Sequence, residues 1–411
     1  MSVSETRGWR GYAFALIIPL VLSACQGETP GTSRGEGDVA GARVIESREA
    51  VWPEGGGWRV SEEPIVDIGA ERGDEAYELF RVTGARRLAD GRIVVANMGT
   101  HQLRFFDASG EFLSSAGREG GGPGEFQALL GVWTVGDGSL LTYDLRQRRV
   151  SVFQADGSFV RSYQPSLGGS RFGFVNPIGA FDDGSLLVMM GSASGGELRE
   201  GPSRDPAYLL HIDNEGALRD TLGQLPGPEF YSRSQTTDQG TAFTAVPIVF
   251  GRAPQVAVAA GGFYAGSADA YEIDYYAVEG RHPRSIRLDR ARAPVAPEDV
   301  AAFKRAQLDL APEAQRPALE QRLADLPVAE TLPAHAQLVV DSEGNLWVQD
   351  YPLPGAGRSR WAVFDPEGAW LGMVDMAPDF SVYQIGPDFV LGRWSDEVGV
   401  EHVRVYELIK S

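Results

Sequence analysis

One turn pattern, a tight Gly-containing turn running into an apolar stretch, returns six times between Asp90 and Phe389. It reads Asp90-Gly91-Arg92-Ile93, Asp137-Gly138-Ser139-Leu140, Asp183-Gly184-Ser185-Leu186, a degenerate Ala260-Gly261-Gly262-Phe263, Glu343-Gly344-Asn345-Leu346 and Gly386-Pro387-Asp388-Phe389. A second turn follows five of them, at 106–110, 153–157, 212–216, 277–280 and 364–368. Asp-Gly between alternating apolar runs is the punctuation of antiparallel hairpins, because glycine supplies the backbone angle that the turn requires. The chain is therefore expected to be all-β and repetitive.

The stretch Gly84 to Phe126 serves as the template, with four short runs rich in Val, Ile, Leu and Phe. From Asp90 to Asp137 is 47 positions, from Asp137 to Asp183 is 46, and from Glu343 to Pro387 is 44. Such a period suits four strands per unit rather than a helical repeat, and six units predict a six-bladed β-propeller of four-stranded antiparallel blades over 51–411. The last unit has room for only three strands. Trp58 to Ile68, an orphan strand-like run before the first blade, is expected to supply its outermost strand, since an open ring would expose an unpaired edge. Residues 294–333, between blades four and five, change period: Val300, Phe303 and Leu308, then Leu319, Leu323 and Leu326, are spaced as on helices that open near Pro297 and Pro317. This helical insertion is expected at one mouth of the central channel.

Residues 1–24 read as an export signal, with Arg7 and Arg10 before the apolar run Ala13 to Leu22, which is too short to span a bilayer. Leu22-Ser23-Ala24-Cys25 resembles the lipobox of bacterial lipoproteins, which implies that Cys25 carries the lipid. Cys25 is the only cysteine in 411 residues, so a disulfide within the chain is excluded. Residues 25–50, poor in large apolar groups, are expected to be a flexible tether to the membrane. The formal charge of −19, from 37 basic and 56 acidic residues, disfavours nucleic acid as a partner, because binding phosphates takes clustered Lys and Arg.

The run Ala96 to Asp107, continued by Gly117 to Phe126, resembles the NHL-repeat β-propeller, and the whole layout is similar to bacterial six-bladed β-propeller lipoproteins. The resemblance is carried by the first two blades. Where that repeat has Asp and Asn, this chain has Asn97 and Thr100, then Asp144 and Gln147. The resemblance implies that such residues brace loops. It also implies two kinds of function, a binding platform or a hydrolase or lactonase of the gluconolactonase-like kind.

No GxSxG elbow, HExxH helix or CxxC pair is present, and Gly120 to Gly124 lacks the Lys-Ser or Lys-Thr of a phosphate loop. The leading expectation is a noncatalytic envelope lipoprotein, held to the membrane by lipidated Cys25, that binds a protein, peptide or glycan and needs no cofactor. The alternative is the hydrolase, with one divalent cation held by carboxylate and amide oxygens. Candidate ligand-binding residues near the ends of second strands are Asn97, Asp144, Asp269, Asp350 and Asp396, with Arg146, Tyr351, Arg393 and Trp394 beside them. His101, His335 and His402 fall on the same face in adjoining blades and form a weaker candidate zinc set.

Overall fold

A computed structural model describes residues 43–410 apart from 54, 167–171, 193–199, 238–239, 279–283 and 397. The signal segment and Cys25 lie outside the described residues.

Four-stranded antiparallel blades recur around a ring. Blade one comprises Val82–Arg87, Ile93–Asn97, Gln102–Phe106 and Phe112–Ala116 from the axis outwards. Blade two comprises Leu129–Thr134, Leu140–Asp144, Arg149–Phe153 and Phe159–Tyr163. Blade three comprises Phe172–Ala180, Leu186–Ser192, Pro206–Ile212 and Leu218–Pro226. Blade four runs through Gln255–Ala259, Gly262–Gly266, Glu272–Ala277 and Arg284–Leu288, and blade five through Leu338–Val340, Leu346–Gln349, Ser359–Phe364 and Trp370–Met376. Blade six takes three strands, Ser381–Ile385, Phe389–Ser395 and Glu401–Ile409, from the chain's end. Its fourth is Arg59–Ile68, antiparallel to Glu401–Ile409. The orphan run thus closes the ring as the hydropathy pattern implied.

The turns show why the repeat folds as it does. Asp90, Asp137 and Asp183 each accept the backbone N–H two residues on, at 3.1, 2.8 and 2.9 Å. Gly91 then takes φ +90°, a conformation that L side chains avoid. The outer turns repeat the device, with Asp107 accepting from Ser109 and Glu111 and Asp213 from Glu215 and Ala217. Between consecutive blades the alternating apolar side chains form six separate cores. One joins Val82, Ala85 and Phe106 of blade one to Leu391, Val403 and Val405 of blade six, so the ring is complete.

Two features depart from expectation. Arg43–Ser47, placed by composition in the tether, is a strand parallel to Arg284–Leu288 and adds a fifth strand to blade four. The chain then crosses the outer edge of blade five, where the N–H groups of Val51 and Trp52 donate to the carbonyls of Trp370 and Leu371, and reaches blade six. Trp52 packs at a tilt against Trp58 (5.3 Å), and Trp58 against Trp347 (5.9 Å). This belt gives strand structure to residues 43–47, within the span expected to be tether. Its physical cause is the unpaired edge of Arg284–Leu288, which a polar segment can satisfy through its backbone alone.

The second departure is a small sheet formed by Gly201–Ser203, Phe230–Thr237 and Gly240–Pro247. Its pieces leave the ring between the second and third strands of blade three and between blades three and four. The helical insertion forms as read, α1 over Pro297–Asp309 and α2 over Arg316–Ala324. The Asp299 carboxylate caps α1 by accepting the Ala296 N–H at 2.9 Å. Val300 and Phe303 of α1 pack with Phe250, Leu326 and Leu332 into a seventh core outside the ring.

The closing strand is pinned by Asp67, which binds His402 at 2.7 Å and Arg404 at 2.9 Å. Burial raises the Asp67 carboxyl, but the bonds from His402 and Arg404 outweigh it and hold the group below the usual carboxylate range. The turn aspartates Asp90 and Asp137 are lowered in the same sense by their hydrogen bonds. A carboxyl with a depressed folded pKa adds stability that is fully present above the unfolded value of about 3.9 and is lost as pH falls through the folded one. The urea midpoint is therefore expected to be flat near neutrality and to drop below about pH 4; an unchanged midpoint there would contradict this account. Deleting residues 58–68 is expected to lower the midpoint and cause aggregation by uncovering the edge of Glu401–Ile409, read by light scattering.

Candidate functional site

The connections between second and third strands, and those between blades, leave the ring on one face. The small sheet and both helices rise from connections of these kinds, and Arg233 of the hairpin donates to the Asp325 carbonyl just after α2. Tyr351, from the corresponding loop of blade five, packs edge-on against Phe250 at 6.1 Å and belongs to the apolar core that α1 covers. The insertion and the candidate loops are therefore neighbours, with Tyr351 as one of the links.

The amide and carboxylate candidates on this face are occupied by hydrogen bonds and ion pairs within the protein. Asn97 is buried; its Oδ1 accepts the Phe80 N–H at 2.9 Å and its Nδ2 donates to the Glu78 carbonyl at 3.5 Å. Asp144, equally buried, accepts from the N–H groups of Gln127 (2.6 Å), Ala128 (3.0 Å) and Gln147 (2.8 Å). Both tie the end of a second strand to the segment that enters the same blade. Asp396 accepts the Val400 N–H at 2.7 Å across its own loop. Asp350 binds Arg290 at 2.6 Å, and Arg290 lies over the Tyr271 ring at 5.4 Å. Arg146 is exposed.

Asp269 sits in a four-charge chain. Arg204 grips both its oxygens at 2.8 Å, Arg252 binds it from the other side, and Arg252 also engages Glu229. Burial raises the Asp269 carboxyl, and the bonds from Ser267, Arg204 and Arg252 more than offset this, leaving it below the usual range. Alternating signs of this kind fix the loops of blades three and four against each other.

Blade six holds a latch in which Arg393, a candidate, is one part. Glu401, buried, accepts the Val82 N–H at 2.7 Å and binds Arg393 at 3.2 Å, while the Tyr383 hydroxyl donates to the Val82 carbonyl at 2.9 Å. Burial pushes the Tyr383 hydroxyl up to about 12, so it stays a donor at neutral pH. Trp394 stacks under the Arg404 guanidinium at 3.5 Å and meets His402 edge-on at 5.6 Å.

The three candidate histidines are not gathered at one site. His402 pairs with Asp67; His335 is buried against Tyr271, its Nδ1 3.2 Å from the Ala336 carbonyl, and burial holds its pKa below the ordinary value. His101 turns the corner of blade one at φ +58°. Among the described residues, no group of three His, Cys, Asp or Glu side chains is placed to hold a metal ion. Among the described residues, the candidate oxygens of Asn97, Asp144, Asp269 and Asp350 are taken by hydrogen bonds and ion pairs within the protein.

Along the axis runs a cavity of about 780 Å³ lined by the inner strands of all six blades. None of the nine candidates lines it; Thr83, Arg86, Gln255, Gln337, Tyr383 and Gln384 do. Arg86 and Glu401 escaped the sequence reading. The doublet Arg86-Arg87 inside an otherwise core-forming inner strand was the available signal.

Residues 81–167 match a family model, DUF5128, described as a 6-bladed beta-propeller. No curated protein sequence matches the chain. Solved structures similar to it include a candidate exported protein from Bacteroides fragilis, with 12% identity, TM-score 0.48, and 90% of this chain and 99% of that one covered. A member of the DUF4221 family from Bacteroides vulgatus has 8% identity and TM-score 0.47, covering 86% and 99%. Virginiamycin B lyase from Staphylococcus aureus has 8% identity and TM-score 0.40, covering 86% and 100%. Among the described residues no helix is long and apolar enough to cross a membrane.

If Asp144 braces its loop, Asp144→Ala orphans three backbone N–H groups and is expected to cost at least about 1–3 kcal/mol of stability. A variant that melts with the parent would remove the bracing role.

Proposed function

We propose that this chain is a noncatalytic binding protein of the bacterial cell envelope, exported, anchored through lipidated Cys25, and presenting the loop face of its propeller to a protein, peptide or glycan. The observation that supports it best is the commitment of Asn97, Asp144, Asp269, Asp350 and Arg393 to backbone amides and ion pairs. Such groups make loops rigid, and rigid loops on a scaffold form a recognition surface that loses little entropy on binding. The helices and the small sheet enlarge that face, and Tyr351 fastens them to it.

Calorimetry with calcium, magnesium, manganese and zinc is expected to give no saturable heat, and a panel of lactones and esters no turnover. Metal-dependent hydrolysis that Asp350→Asn abolishes would replace the platform by the hydrolase. Cys25→Ser is expected to move the protein from the membrane to the soluble fraction of an expressing bacterium; retention in the membrane would end the anchoring reading.

A further inference from the structure

The axial cavity contains one basic side chain among its described lining residues, Arg86, on the inner strand of blade one. Its Nη1 donates to the carbonyls of Ala85 at 2.8 Å and Tyr383 at 2.9 Å, which sets the plane of the guanidinium. No hydrogen bond joins its Nε or Nη2 to a described residue, and the side chain is half-buried where it lines the cavity. These two nitrogens form the side edge of the guanidinium, whose parallel N–H groups match the two oxygens of a carboxylate or phosphate.

No carboxylate among the described residues pairs with this cation. Of the two acids that line the cavity, Asp341 is consumed by Asn345 and Trp347 in its own turn, and Asp182 is exposed on the turn of blade three. Glu401, in the adjoining latch, is taken by Arg393 and the Val82 N–H. Burial lowers the Arg86 pKa to about 10, so it is charged at neutral pH although its surroundings disfavour charge. An unpaired cation held in a confined site is costly, the more conspicuous in a chain of net charge −19 where acids abound. The Gln337 and Gln384 amides are engaged in ties to the Val382 carbonyl and to the Arg87 backbone, and the rest of the wall mixes aliphatic residues such as Val256, Val339 and Ile385 with polar ones such as Thr83, Thr134, Gln255 and Ser342.

We propose that the axial cavity is a binding site for a small organic anion, its oxyanion taken side-on by Nε and Nη2 of Arg86 and the rest of the molecule by the mixed polar and apolar wall of the inner strands. The site is distinct from the loop face and stands or falls independently of what that face binds. Phosphate- and carboxylate-bearing ligands share the required chemistry, and the probes separate them.

The test uses benzoate and phenyl phosphate, with benzamide as the uncharged control, at fixed ionic strength. The melting temperature is expected to rise with concentration for at least one of the two anions and not for benzamide, because a ligand bound only by the folded state stabilises it. Arg86→Gln is expected to abolish the shift, and Arg86→Lys, which keeps charge but not the fork, to weaken binding at least tenfold, whereas Arg287→Gln on an outer strand leaves it intact. Should Arg86→Gln not fold, the parent protein carries the test: phenylglyoxal is expected to modify Arg86, as mapped by mass spectrometry, and the anion that binds to slow that modification. No shift with either anion, an equal shift in Arg86→Gln or with benzamide, or modification of Arg86 unaffected by both anions would overturn the proposal.

Discussion

Everything in this fold depends on the pairing of Arg59–Ile68 with Glu401–Ile409, strands separated by more than 300 positions of chain. Six four-stranded units bury their faces only against one another, so the first and the last each lack half of their core until they meet. Hydrogen bonds along one strand pair would leave the joint hinged. The latch on Val82 adds a second line of contact nearer the axis, where Glu401, Arg393 and Tyr383 of blade six hold both backbone groups of the first residue of blade one. The core containing Val66, Val82 and Val405 fills the space between the two lines. Closing so distant a contact is entropically slow, and the cost is met only once all three elements engage together.

The repeat was legible because each turn carries its own chemistry. Asp90, Asp137 and Asp183 hold their hairpins by local bonds that no distant residue alters, and the helical insertion announced itself by a change of period near Pro297. The belt was not legible. Arg43–Ser47 offers only Val44 and Ile45 as apolar residues and sits in a polar, glycine-rich neighbourhood, so composition assigned it to a tether. Its order comes from the free edge of a strand some 240 positions away, and a backbone edge leaves no mark in the sequence of the segment that pairs with it. The gap from 183 to 260 is long enough to hold an insertion beside its blade, but that the insertion is a sheet was not legible, since its strands come from two different loops.

The candidate residues were found by register, and Asn97 and Asp144 do close second strands. Register could not tell whether a carboxylate there was open to a ligand or already consumed, because that depends on the backbone of the entering segment, as with Gln127 and Ala128 around Asp144. Arg86 escaped for the opposite reason. On a strand that alternates between two cores, a charged residue reads as an outward-facing one; only a closed ring creates an interior surface that is neither core nor exterior. Glu401 was missed because its partner is the amide of Val82, 319 positions away.

The same geometry ties the cavity to the seam. Nη1 of Arg86 rests on the Tyr383 carbonyl, and the Tyr383 hydroxyl on the Val82 carbonyl, so the cation of blade one is oriented by the strand that ends the ring. A blade six that drifts from blade one removes one of the two acceptors that set the guanidinium plane and the line of contact that makes the channel continuous. An anion on the open edge of Arg86 therefore has affinity for the closed ring and little for an opened one, and by linkage it stabilises closure by the same free energy. Opening of the seam is the lowest-order way for such a ring to unfold, since it breaks one interface and leaves five cores intact. Occupancy of the axis and persistence of the ring are thus two readings of one equilibrium.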